Sequence, residues 1–124
     1  MVEVHGVEPD KAHYVSYAGR TDGAIARDQL LRAGVDAARI DAELAAVQVA
    51  TSRRYDGLCP SDLSSLISSG IAELLAELAE LPERFRLSLL TGNFEPVARL
   101  KLERAGIGRH FPAGQGAFGS DAED

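Results

Sequence analysis

Cysteine occurs once in this 124-residue sequence, tryptophan not at all, and aromatic side chains make up only 6% of it. A lone Cys59 allows no internal disulfide and fits a reducing compartment, so a cytoplasmic location is expected. With no Trp, three Tyr and four Phe, any core has to be built from Leu, Ala, Val and Ile. Basic residues are also in deficit. Thirteen Lys and Arg stand against nineteen Asp and Glu, a net charge of −6. That balance argues against a nucleic-acid partner, since such binding depends on neutralising phosphates. No apolar run approaches the roughly 18 residues of a membrane span, so no membrane partner is expected. The start, Met1-Val2-Glu3-Val4-His5-Gly6, has neither a basic region nor an apolar signal segment. What is present is ordinary for a globular chain: 45% hydrophobic and 26% charged residues, enough for one domain or two very small ones.

Two regions differ in character. Residues 1–58 are rich in Ala, Arg and Asp and read as helical. Thr21 or Asp22 suits a helix N-cap ahead of Ile25, Leu30 and Leu31, and Gly34 suits the left-handed position just past the helix end. A second helix is expected from Asp36, with Ile40, Leu44, Val47 and Thr51 forming one narrow stripe. The two would make an antiparallel hairpin. The cluster Tyr55-Asp56-Gly57-Leu58-Cys59-Pro60-Ser61-Asp62 reads as a connection.

Residues 66–124 read as alternating helix and strand. Ile71, Leu74, Leu75, Leu78 and Leu81 match the 3.6-residue period, and Pro82 lies just beyond them. Residues 85–90, with apolar groups on both parities, read as a strand buried on both faces of a parallel sheet. A helix from about Glu95 to Ala105 follows, with Pro96 in its first turn and Gly106 closing it. Residues 110–114 read as the start of a further strand. The expected fold class is therefore α/β, and the expected crossover right-handed.

The junction at residues 90–94 carries the chemistry. Thr91 offers a hydroxyl, Gly92 lets the backbone approach closely, and the helix after Asn93 adds unpaired N–H groups and a favourable dipole. Those features predict an oxyanion the size of phosphate at Thr91. Taken alone, they are first of all those of a plain helix cap at a βα turn.

The segment Leu89-Leu90-Thr91-Gly92-Asn93, with Lys101-Leu102-Glu103-Arg104-Ala105-Gly106-Ile107 and Gly116-Ala117-Phe118-Gly119-Ser120-Asp121, resembles the haloacid dehalogenase-like hydrolase superfamily, most of all its phosphoglycolate-phosphatase-like members. Ala18-Gly19-Arg20-Thr21-Asp22 resembles the helical cap of that group, and Gly70-Ile71-Ala72-Glu73-Leu74-Leu75 the helix leading back from cap to core. The matches fall in the family's order. The resemblance implies a Rossmann-type parallel core, incomplete here, behind an N-terminal helical cap segment over residues 1–58. It also implies hydrolysis of a small phosphorylated metabolite through an aspartyl-phosphate. Thr91, Gly92 and Asn93 would hold the phosphoryl group, Lys101 would neutralise its charge, and Arg20 would reach the substrate from the cap. In many relatives the lysine lies further along the chain.

The Asp-x-Asp-Gly-Thr motif that supplies the family's nucleophile and acid–base group is absent. So is the later acidic motif that holds Mg²⁺, the cofactor the resemblance implies. An incomplete chain is the expectation: a truncated or split gene product, or one with a mis-called start and stop. Such a chain would be inactive alone and prone to self-association through exposed core edges. The alternative is a non-catalytic small α/β protein serving binding or assembly.

Other signals point to plain structure. Gly114-Gln115-Gly116-Ala117-Phe118-Gly119 fits G-x-G-x-x-G but lacks the following helix and acidic residue of a dinucleotide site, so a turn is expected. His5, His13 and His110 have no zinc spacing and read as surface or loop residues. Cys59 reads as a small buried apolar group. Asp121, Glu123 and Asp124 read as a solvated acidic tail.

Overall fold

The computed structural model describes residues 1–8 and 15–121. Local signals set most of its elements. A short helix α1 (Val2–His5) is followed by α2 (Asp22–Arg32) and α3 (Ala37–Leu58). Thr21 caps α2 by accepting from the Ala24 N–H at 3.1 Å, and Asp36 caps α3 by accepting from Ala38 and Arg39 at 3.0 and 3.3 Å. Gly34 has φ of +82°, the left-handed turn that lets α3 fold back beside α2.

Leu30, Val35, Ile40 and Val47 form the buried core between these helices, and Met1, Val4, Val7 and Ala26 pack against it. Leu44 is half-buried, and Thr51 is exposed at the end of the stripe. Exposed polar groups tie the helices at their rims. Arg27 Nε donates to Asp41 at 2.9 Å, and Arg53 pairs with Glu3. The Arg32 guanidinium, and after it the Tyr17 hydroxyl, holds the Asp28 carboxyl below its usual range.

α3 continues through Tyr55-Asp56-Gly57-Leu58, where a connection was expected. A glycine inside a helix costs only about 1 kcal/mol relative to Ala. Arg104 offsets that cost by donating to the Asp56 carboxylate at 2.7 Å and to the Cys59 carbonyl. Cys59 is buried, in agreement with its apolar reading. His5 is a correction: its side chain is fully buried, 3.1 Å from the Glu43 carboxylate. His110 is half-buried in a 3₁₀ turn, Gly108–His110, and His13 lies outside the described residues.

The second half departs from the α/β expectation. α4 (Ile71–Ala79) and α5 (Glu95–Arg104) form where the periodicity placed them. Among the described residues there is no β-strand and no sheet. The one trace of either is an isolated parallel bridge between Leu90 and Ala117. Residues 85–89 run without turn or bend into that bridge, and apart from the Leu89 carbonyl, which accepts from Ala117, they pair with no other described segment. A strand exists only through bonds to another strand, so the apolar run at 85–90 stays irregular. Residues 110–114 form no strand either, and the partner of Leu90 lies further on, at Ala117. The Rossmann-type parallel core is thereby overturned: the chain is helical. α4 buries none of its residues, and Ile71, Leu74 and Leu81 are 37–48% exposed.

Phe94, Val97, Ala98, Ile107 and Phe118 are buried along α5 and the final segment. Arg99 clamps it, donating to the Phe111 carbonyl at 2.6 Å and the Gln115 carbonyl at 3.1 Å. Its guanidinium also lies 5.4 Å from the centre of the Phe118 ring.

Candidate anion site at the start of α5

Two helix N-termini meet at residues 91–94. The Asp22 N–H, in the first turn of α2, donates to the Gly92 carbonyl at 2.8 Å. The Asp22 carboxylate returns the contact, accepting from the Phe94 N–H at 2.9 Å. It also accepts from the Asn93 side-chain amide, at 3.1 and 3.3 Å to its two oxygens. One carboxylate thus sits at the positive ends of two helices. A negative group is present where the sequence predicts an oxyanion, and it comes from the chain itself.

The predicted phosphate residues converge on Asn93. The Thr91 hydroxyl oxygen accepts from the Asn93 N–H at 3.1 Å, which leaves its O–H able to donate. Lys101, one face of α5 further on, donates to the Asn93 side-chain carbonyl at 3.0 Å. Its ammonium also lies 5.4 Å from the centre of the Tyr55 ring. The Tyr55 hydroxyl is pushed above its usual pKa, first by the Cys59 side chain beside it and then by desolvation. It is therefore a neutral donor at physiological pH.

Gly92 is where the backbone must approach closely. A Cβ there would lie 3.0 Å from the Arg20 carbonyl oxygen and 3.1 Å from Thr21 Cα. Arg20 therefore touches the site through its backbone, while its side chain is exposed. Gly119 is tighter still, because a Cβ on it would lie 2.0 Å from the Gly92 carbonyl oxygen. Its N–H donates to the Asn93 carbonyl at 2.9 Å. Gly119→Ala must push backbone against backbone and is expected to cost about 1–3 kcal/mol. Faster amide exchange at Thr91 and Gly119, with a lower melting temperature, is the measurement that checks it. Asp121 belongs to the same turn, accepting from the Phe118 N–H at 2.7 Å. Glu123 and Asp124 lie outside the described residues.

Beside Asp22 lies a cleft of about 270 Å³ between α2 and α3, lined by Ile25, Val47, Tyr55 and Phe94 among others. It is mostly apolar and opens next to the Asn93 junction.

The described residues at this junction do not assemble a site for Mg²⁺. That ion demands near-octahedral oxygen coordination. Asp22 is the carboxylate at the junction, and both its oxygens already accept hydrogen bonds. Among the described residues no three His, Cys, Asp or Glu side chains gather in a way that could hold a metal. No helix there is long and apolar enough to cross a membrane.

Sequence reasoning named Thr91, Gly92, Asn93 and Lys101, and the structure brings them together at this junction. It missed what Asp22, Tyr55 and Phe94 contribute. Asp22 and Asn93 are 71 positions apart, and nothing local to Asp22 distinguishes it from an ordinary first-turn acid. No protein-family model, no curated protein and no solved structure matches the chain.

Proposed function

We propose that the chain binds small phosphate monoesters at the Asn93 junction, as a relative of the haloacid dehalogenase-like hydrolases of the phosphoglycolate-phosphatase-like kind, and does not hydrolyse them alone. The observation that carries this reading is the convergence of Thr91 and Lys101 on Asn93, at 3.1 and 3.0 Å. It joins a hydroxyl donor, a cation and an amide at a helix N-terminus. In this reading the phosphoryl group takes over the Asn93 amide from Asp22, Lys101 and the Thr91 hydroxyl donate to it, and the carbon part of the ester enters the apolar cleft. The setting is cytoplasmic, consistent with a single unpaired cysteine.

Catalysis does not follow from these groups. A hydrolase of this lineage needs a carboxylate free to attack phosphorus, and Asp22 is engaged by Phe94 and Asn93. Binding is expected to be weak, because phosphate must compete with that carboxylate. Charge-assisted hydrogen bonds contribute about 1.5–3 kcal/mol each, so about millimolar affinity is expected.

Titration with inorganic phosphate, followed by amide NMR, tests the reading. Shifts should centre on Gly92 to Glu95, disappear in Thr91→Val and shrink in Lys101→Met. A folded sample with no shifts there would leave the junction as a helix cap alone. Hydrolysis of phosphate monoesters should stay at background with or without Mg²⁺. Metal-dependent turnover that survives repurification would overturn the inactive part of the proposal.

A further inference from the structure

The bridge at Leu90 orients the backbone on either side of it. The Ala117 N–H donates to the Leu89 carbonyl at 2.8 Å, and the Thr91 N–H donates to the Ala117 carbonyl at 3.0 Å. Leu89 and Thr91 therefore turn their backbone groups toward Ala117, and Leu90 turns its own the other way. In extended chain the direction alternates, so Arg86 and Ser88 share the outer edge with Leu90. The burial pattern agrees: Leu87 and Leu89 are half-buried, while Arg86, Ser88 and Leu90 are exposed. Leu90 is 89% exposed. Among the described residues nothing bonds to the N–H or C=O groups of Arg86, Ser88 or Leu90. An unpaired edge of this kind is a template for a strand from another chain.

We propose that a second copy of this chain occupies that edge, pairing antiparallel about a two-fold axis at Ser88. In this register Ser88 faces Ser88 of the other copy and Arg86 faces Leu90, so every outward backbone group on these residues meets its complement. No charge is opposed by its like. The aliphatic stem of Arg86 lies across the exposed Leu90, and the two Ser88 hydroxyls can bond each other. On the other face Leu87 stands opposite Leu89, which extends a half-buried apolar row. A register shifted by two residues would set Arg86 nearer to its own copy or leave Leu90 uncovered.

Disulfide trapping in the full chain tests both partner and register. In a bonded antiparallel pair the facing Cα atoms are about 5.5 Å apart, within disulfide reach. Ser88→Cys in a Cys59→Ser background should form a covalent dimer under mild oxidation. Arg86→Cys should not, because the two copies of residue 86 would lie about 14 Å apart. Sedimentation of the unsubstituted chain should show a species of twice 13.2 kDa. Ser88→Pro removes the outward N–H while leaving the protomer's own bonds intact, and should weaken dimerisation at least about thirty-fold. A chain that stays monomeric at about 100 μM overturns the proposal. So does equal cross-linking of Arg86→Cys and Ser88→Cys, or a dimer indifferent to Ser88→Pro.

Discussion

Asp22→Asn is expected to bind phosphate at the Asn93 junction about ten-fold more tightly than the unsubstituted chain. The carboxylate lies against the groups phosphate would use, with Asn93 Nδ2 at 3.1 Å and the Phe94 N–H at 2.9 Å. Two like charges about 5 Å apart repel by about 3 kcal/mol at an effective dielectric of 20, and screening at this half-exposed site reduces that to about 1–2 kcal/mol. The amide keeps one acceptor for Phe94, so the junction survives. Asp22→Ala removes that acceptor as well. It leaves the Phe94 N–H and the Asn93 amide without their partner and takes a counter-charge from two helix N-termini. A loss of about 2–4 kcal/mol is expected. Phosphate titrations of the two variants, set beside their urea midpoints, separate the electrostatic gain from the structural loss. Unchanged phosphate affinity in Asp22→Asn would show that the anion does not enter beside Asp22.

Ile40→Ala is expected to lower stability by about 2–5 kcal/mol. Ile40 is 0% exposed and sits with Leu30, Val35 and Val47 where α2, α3 and the N-terminal residues meet. With a total stability of about 5–15 kcal/mol, that loss removes a large share. Urea denaturation followed by circular dichroism measures it directly, since α2 and α3 carry most of the helix in the chain. A change under about 1 kcal/mol would mean that the helical hairpin repacks around the gap.

Much of the helical architecture was legible because its signals are short-range. Thr21 and Asp36 act as caps within three residues of their own positions, and Gly34 supplies the turn between the helices. Helix α5 begins at Glu95 with Pro96 in its first turn, as expected. The reading went wrong where a conclusion needed a second segment. Residues 85–90 have a strand's composition, but a strand's hydrogen bonds belong to the pair, and the pair was not in the sequence pattern. His5 looked like a loop residue because its burial depends on α3, through contact with Glu43. At the candidate site Thr91, Gly92, Asn93 and Lys101 were visible as neighbours in sequence on one turn and one helix.

By itself, then, the sequence determined where α2, α3 and α5 start and brought Thr91, Asn93 and Lys101 to the start of α5. Caps, glycines and 3.6-residue periodicity act within one or two turns, and their energies do not wait for the rest of the fold. The tertiary structure alone decided that an acid of α2 sits at that helix end and that residues 85–90 keep an open edge. Both are matters of which distant groups arrive. The Phe94 N–H goes to whichever acceptor lies within about 3 Å, and that acceptor is Asp22. The backbone of Arg86, Ser88 and Leu90 stays unpaired because no described segment of the chain lies alongside it.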